Sequence, residues 1–116
     1  MDEAIDQVTV ALKERGFGIL TEIDIQATLK GKLDVDFRPY KILGACNPPY
    51  AYQALQSESN IALMLPCNVI VQEAAPGRVE VAAIDPISSM QAIENPALGE
   101  VAQEVQSLLR ETILSL

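Results

Sequence analysis

The chain has no histidine and no tryptophan, and its 116 residues include only two cysteines, three tyrosines and two phenylalanines. Without histidine there is no Ser-His-Asp or Cys-His relay and no imidazole ligand for a metal. Acid–base chemistry would therefore fall to a carboxylate, lysine, tyrosine or thiol with a shifted pKa. Two cysteines are also too few for a four-cysteine zinc site within one chain. The sequence predicts no metal site and identifies no cofactor.

Basic residues are scarce as well. Eight lysines and arginines stand against sixteen acidic residues, for a net charge of −8. This balance argues against nucleic acid, whose binding depends on neutralising phosphates, and against anionic membrane surfaces. No apolar run approaches the roughly 20 residues of a membrane span. The start, Met1 to Glu3, lacks the basic region of a signal peptide. We expect a cytoplasmic protein with reduced cysteines.

The length and the 49% hydrophobic content predict a single domain over residues 1–116 with an aliphatic core. Apolar periodicity and turn residues divide the chain into helices and strands. The predicted elements are an N-terminal helix closed by Gly16, a strand Phe17–Ile25, a helix Ile25–Leu33 capped by Asp24, a strand Tyr40–Cys46, a helix Pro48–Gln56, a strand Ile61–Ala74 with a bulge or edge at Pro66, a strand Val79–Ala83, a short helix from Asp85-Pro86 to Met90, and a last helix starting at Asn95-Pro96. This order predicts an α+β fold: a mostly antiparallel four-stranded sheet with helices packed chiefly on one face.

In the strand Phe17–Ile25, the alternation predicts one apolar face and one wet face. The predicted apolar face carries Phe17, Ile19, Thr21, Ile23 and Ile25. Glu22 and Asp24 alternate with them, so we interpret these carboxylates as a solvated face rather than an acid–base pair.

The stretch Tyr40–Tyr50 carries the main chemical signal. Its alternating residues predict a strand that ends at Cys46, and Asn47 and Pro48 are typical of a helix start. A helix N-terminus near Cys46 favours the thiolate form of its side chain. We therefore take Cys46, Asn47 and Cys67 as the candidate ligand or thiol site, although Asn47 is explained most simply as a helix cap.

Cys46 and Cys67 admit three interpretations. Both can be small buried hydrophobic residues, as free cysteines often are. They can instead line a pocket and act as thiolate, soft-metal ligand or redox couple. A structural disulfide is the third interpretation, and it is out of place in a cytosol. Because sequential strands are usually neighbours, we expect the two cysteines to lie close together on the same side of the sheet.

Three weaker candidates lie nearby or follow later in the chain. Lys41 is a cation close to the cysteine region and would suit an anionic ligand. Tyr50 would present its hydroxyl to a pocket, although amphipathic packing explains it equally well. Asp85 precedes a proline and is explained most simply as the end of a strand.

Several segments together resemble the domain-of-unknown-function family 302. They are Gly16–Asp24, Leu29–Leu33, Tyr40–Pro48 with its Gly-Ala-Cys-Asn-Pro element, Leu65-Pro-Cys67 and Asp85-Pro86. The resemblance implies a small bacterial or archaeal α+β protein, similar in architecture to TATA-binding-protein-like folds, and a dimer. It implies no established activity. The strand that usually precedes the first helix in this family is not found here, and an uncovered sheet edge invites pairing with a second chain.

Two classes of function follow from these features. The first is a binding or assembly protein, a homodimer with a small-ligand pocket near the Gly-Ala-Cys-Asn-Pro and Leu-Pro-Cys elements. The alternative is a thiol-dependent enzyme, or a redox or soft-metal-binding protein, that uses Cys46 and Cys67. The sequence does not decide whether the protein is an enzyme. Dimer contact through sheet edges and contact through the C-terminal helix are both compatible with it.

Overall fold

The computed structural model describes all 116 residues and confirms the α+β fold. Its elements are α1 (Asp2–Lys13), β1 (Gly18–Asp24), α2 (Ile25–Leu33), β2 (Tyr40–Cys46), α3 (Pro48–Ser57), a 3₁₀ helix (Ile61–Met64), β3 (Cys67–Ala75), β4 (Arg78–Ala83), α4 (Pro86–Met90) and α5 (Ala97–Leu114). The four strands form an antiparallel sheet in the order β1-β2-β3-β4.

The core lies between one face of the sheet and the helices. Leu43 and Ala45 of β2 and Val69 and Val71 of β3 are buried on this face, at the two-residue spacing that strand geometry requires. α1 and α5 contact each other and pack beside the sheet. α5 has an apolar stripe, which is buried at Leu98, Val101, Ala102, Val105, Leu109 and Thr112. Burying each large side chain contributes about 1.5–3 kcal/mol, so α5 is a main source of stability.

The other side of the sheet is called here the open face. It consists of three cross-strand rows, which are Thr21–Gly44–Asn68, Ile23–Ile42–Ile70–Ala82 and Tyr40–Gln72–Glu80. Paired residues of an antiparallel sheet point to the same side, so each row shares one face. Ile23 is 45% exposed, and Ile42 and Ile70 are only half-buried. An aliphatic row therefore crosses the whole sheet on the side away from the core.

A bulge in β1 corrects the predicted apolar face of this strand. The register shifts between Ile19 and Thr21, so Ile19 pairs with Ala45 on the core face whereas Ile23 pairs with Ile42 on the open face. One extra residue in a strand turns every later side chain to the opposite side of the sheet. The prediction of one continuous buried face from Phe17 to Ile25 is therefore wrong.

The predicted strand Ile61–Ala74 is wrong in its first part. Ile61–Met64 forms a 3₁₀ helix, and β3 begins only at Cys67, after the cis peptide bond between Leu65 and Pro66. A short apolar run does not distinguish a buried strand from a buried helix, and Ile61 is fully buried in its helix. Pro66 precedes the ladder, where its missing N–H costs no sheet hydrogen bond. There is accordingly no bulge at Leu65–Cys67.

Two predicted caps are present. The Asp24 carboxylate accepts a hydrogen bond from the Ala27 amide at 2.9 Å, and the Asn95 side chain accepts one from the Ala97 amide at 3.0 Å. Each satisfies a backbone donor that a helix start leaves unpaired. Although α2 is capped, none of its nine residues is buried. Among the longer helices, α2 therefore packs least against the rest of the chain.

Candidate functional site

A cavity of about 280 Å³ lies where the ends of β2 and β3 meet α3 and α5. Fourteen of its sixteen lining residues are hydrophobic, and none carries a formal charge. The lining residues are Phe17, Leu20, Ala45, Cys46, Asn47, Tyr50, Ala51, Ala54, Leu55, Ala62, Leu65, Pro66, Cys67, Met90, Val101 and Val105. Four of the six sequence-predicted candidates thus belong to one cavity.

The two cysteines are one residue out of register. Cys67 pairs with Ala45 across the β2–β3 ladder, and Cys46 is the next residue along β2. Strand alternation therefore assigns Cys46 and Cys67 to opposite faces, so the prediction that they share a side of the sheet is wrong. Both nevertheless line the cavity, because it lies at the end of these strands. Both are free thiols, so no disulfide joins them.

Cys67 is the more buried of the two cysteines, at 7% exposure. Its burial, with a smaller contribution from nearby Cys46, raises the pKa of the Cys67 thiol to about 11. At neutral pH Cys67 is therefore a protonated thiol, a weak hydrogen-bond donor rather than a nucleophile. Cys46 is half-buried.

Asn47 occupies the N-cap position of α3, but its side chain makes no hydrogen bond to that helix. Its amide nitrogen instead donates to the backbone oxygen of Arg15 at 3.3 Å. The interpretation of the Asn47 side chain as a cap is thus wrong, and Asn47 connects the start of α3 to the turn that follows α1. Gly16 permits this approach, because a Cβ there would lie 3.2 Å from the Asn47 amide nitrogen and the residue has a φ of +87°.

The three weaker candidate residues differ in whether they line the cavity. Tyr50, in the first turn of α3, lines the cavity. Lys41 does not. Its ammonium pairs with the Glu22 carboxylate at 2.8 Å, and the hydrogen bond to Glu22 raises the pKa of Lys41. An anion-binding role for Lys41 in this cavity therefore has no geometric basis.

Asp85 also lies outside the cavity and acts as a helix cap. It accepts a hydrogen bond from the Ile87 amide at 2.9 Å at the start of α4 and another from the Gln106 side chain of α5 at 3.0 Å. Asp85 thus fixes α4, which carries the lining residue Met90, against α5. Its position one residue before Pro86 marks the start of a helix as well as the end of a strand.

We expect Asp85→Ala to lower the free energy of unfolding by about 1 kcal/mol, the usual cost of losing an N-cap. Asp85→Asn is the matched control, because asparagine caps equally well and differs chiefly in charge. Urea denaturation of the three proteins measures both effects. If Asp85→Asn were as destabilising as Asp85→Ala, the charge rather than the cap would be the important property.

Sequence reasoning missed the far wall of the cavity. Ala51 and Ala54 of α3 leave space beneath the helix, and Val101 and Val105 of α5 close it. The small residues of α3 were the one available signal. They do not identify a cavity without the position of α5.

No three His, Cys, Asp or Glu side chains come together in a group that would hold a metal ion. The helices of this chain are each too short or too polar to cross a membrane.

Comparison with known proteins assigns this α+β chain to a family. The model of the family "Domain of unknown function DUF302" matches residues 1–116, so the chain belongs to that family. Among solved structures, the chain is similar to the crystal structure of an uncharacterized conserved DUF302 protein from Bacillus stearothermophilus. The two share 29% sequence identity with a TM-score of 0.88, over 97% of this chain and 88% of the other. A search of curated proteins finds no match.

Proposed function

We propose that this protein is a cytoplasmic homodimer that binds a small, uncharged, mostly apolar molecule in the cavity. The observation that carries the proposal is the lining itself, hydrophobic at fourteen of sixteen positions and free of charge. Ligand pockets are typically apolar with a few polar groups, and this volume lies just below their usual range of about 300–1,000 Å³, which favours a small ligand. The reduced state of both cysteines agrees with a cytoplasmic location.

A few polar groups would orient such a ligand. Asn47, Tyr50, Cys46 and Cys67 line the cavity, and each carries a neutral polar group. One N–H of Asn47 is engaged by the Arg15 backbone, which holds the amide in place. The protonated Cys67 adds a weak donor without a charge. This set favours a ligand with one neutral polar group over an anion or a cation.

The dimer is supported by the shape of the chain. Its radius of gyration is 15.2 Å and its extents are 43 × 32 × 20 Å. A compact domain of this length has a radius of gyration of about 13 Å. The single chain is therefore flatter and more extended than a self-contained domain, as expected for half of an assembly.

Two fluorescent probes test the ligand proposal. We expect uncharged N-phenyl-1-naphthylamine to bind with a micromolar Kd. The related anion 8-anilinonaphthalene-1-sulfonate should bind at least tenfold more weakly, because no cation lines the cavity. Ala51→Leu, which fills part of the cavity, should weaken binding of the uncharged probe about tenfold, equivalent to about 1.4 kcal/mol.

Ala27→Leu is the control, because Ala27 is an exposed helix residue of α2 away from the cavity. It should leave probe binding unchanged. Absence of probe binding to the original protein, or equal losses in the two variants, would overturn the proposal.

The alternative function is a thiol-dependent enzyme, or a redox or soft-metal-binding protein. It is favoured by one observation, namely that both cysteines line the same cavity. The raised pKa of Cys67 counts against it, since the thiolate is the nucleophile and the metal ligand. Rapid modification of Cys46 by a thiol reagent at pH 7 in the folded protein would support this alternative, and protection of both cysteines would support the binding function.

A further inference from the structure

We infer that two copies of this chain associate through the open face of the sheet together with the adjoining helix α2. The inference rests on the proposed homodimer and identifies the surface that the partner covers. It does not depend on the proposed ligand, because no residue of the aliphatic row on the open face lines the cavity.

The exposed area indicates how much surface a partner should cover. The chain exposes 7138 Å². A monomeric protein of 12.6 kDa exposes about 6200 Å² on average. The excess of about 900 Å² is close to the 800 Å² or so that each partner buries in a standard protein–protein interface. The surplus is thus the amount that one copy would lose on forming a stable dimer.

The open face offers an apolar surface to a partner. Ile23, Ile42 and Ile70 lie side by side in one cross-strand row that ends at Ala82. Ile23 is 45% exposed, and the bulge at Leu20 is what turns it away from the core. A contiguous aliphatic row of this kind on a solvent face is characteristic of a protein–protein contact.

Helix α2 supplies the second part of the surface. An isolated helix of nine residues is not stable in water, and proteins stabilise such helices by packing an apolar side. α2 buries no residue, and Leu33 is 67% exposed. The helix adjoins the open face through Phe37, whose backbone oxygen accepts a hydrogen bond from Gln26 of α2 and whose ring lies 6.1 Å from that of Tyr40. A partner that covers the sheet can therefore also cover α2.

The charges favour a second copy at this surface in particular. Two chains of net charge −8 repel each other, so their contact must lie where acidic residues are few. Glu80 is the single charged side chain in the three rows of the open face. In and just after α2, Lys30 pairs with Asp34 and Asp36 within the chain and Lys32 adds a second cation, so this segment has no net charge to repel a second copy.

The two surfaces considered from the sequence are less suitable. The apolar stripe of α5 packs into the core of its own chain, where Leu98 and Leu109 are buried. The free edge of β1 carries the bulge at Leu20, and bulges hinder the regular pairing of one edge with another. Of these three surfaces, the open face is the one that keeps an aliphatic row not packed into the core of its own chain.

Light scattering coupled to size-exclusion chromatography tests this surface at 50 μM protein. We expect the original chain to show twice the mass of 12.6 kDa. Ile23→Glu and, separately, Leu33→Glu should reduce the measured mass toward that of one chain. Val10→Glu is the matched control, because Val10 is 57% exposed on α1 and lies outside the surface. It should remain a dimer.

The possible outcomes distinguish failure of the proposed interface from failure of the proposed dimer. A single-chain mass for the original protein would overturn both the dimer and this interface. A dimer that survives Ile23→Glu and Leu33→Glu but dissociates with Val10→Glu would overturn the interface alone. Because α2 buries nothing within its own chain, Leu33→Glu should fold even if Ile23→Glu does not, and circular dichroism of each variant confirms folding.

Discussion

Replacing Gly44 with alanine should lower the free energy of unfolding by about 3 kcal/mol, as overpacking of a well-filled site does. Gly44 is a buried residue of β2. A Cβ at this position would overlap the Thr21 hydroxyl and lie 2.8 Å from Pro66 Cγ. The Thr21 side chain would have to rotate, and Pro66, whose ring is rigid and which precedes β3, would have to shift. Urea denaturation measures the loss.

Two further variants make this prediction specific. Gly31→Ala in α2 is the matched control, since a Cβ there meets nothing within 4 Å. It should stabilise the protein by about 1 kcal/mol, because glycine is a poor helix former. Thr21→Ala combined with Gly44→Ala should recover part of the loss, because the Thr21 hydroxyl is removed. If Gly44→Ala were as stable as the original chain, the close packing of Thr21 and Pro66 on Gly44 would be wrong.

A loss of stability in alkali is the second large effect. The pKa of the Cys67 thiol is raised from its ordinary value of 9.0 to about 11, chiefly by burial. Between these values the folded state keeps the proton and the unfolded state releases it, so stability falls as the pH rises. The contribution is fully present well below pH 9, falls between pH 9 and pH 11, and is completely lost only above about pH 11. A shift of this size corresponds to roughly 3 kcal/mol.

Cys67→Ala isolates this effect, because alanine does not titrate at all. The difference in unfolding free energy between the original protein and Cys67→Ala should shrink by roughly 2 kcal/mol from pH 8.5 to pH 11. The titration of Lys41, whose pKa is also raised, is present in both proteins and cancels in that difference. A difference that stays constant over this range would show that Cys67 titrates at its ordinary pKa, as an exposed thiol does.

Local sequence patterns were sufficient for most of the secondary structure. β2 was predicted at its observed bounds, because Tyr40–Cys46 alternates and is followed by Asn47 and Pro48. The capped start of α2 at Asp24 and the apolar stripe of α5 were likewise readable from the chain. Each depends on neighbours within a few residues, which is the range over which periodicity and capping act.

The candidate site was only partly accessible to the same reasoning. The motif residues Cys46, Asn47 and Cys67 and the weaker candidate Tyr50 do line one cavity. The roles of individual side chains were not predictable, however. Asn47 bonds to Arg15, 32 residues earlier in the chain, instead of capping the helix that it begins.

The sequence by itself determined where most of the strands and helices lie and how its charge limits the choice of partner. Only the tertiary structure decided that Ile61–Met64 is helical, that a bulge turns Ile23 outward, and that α5 closes a cavity over Cys67. The physical reason is the same in all three cases. An apolar side chain stabilises whichever local conformation brings it into contact with other apolar surface, and that surface belongs to residues far away in the chain.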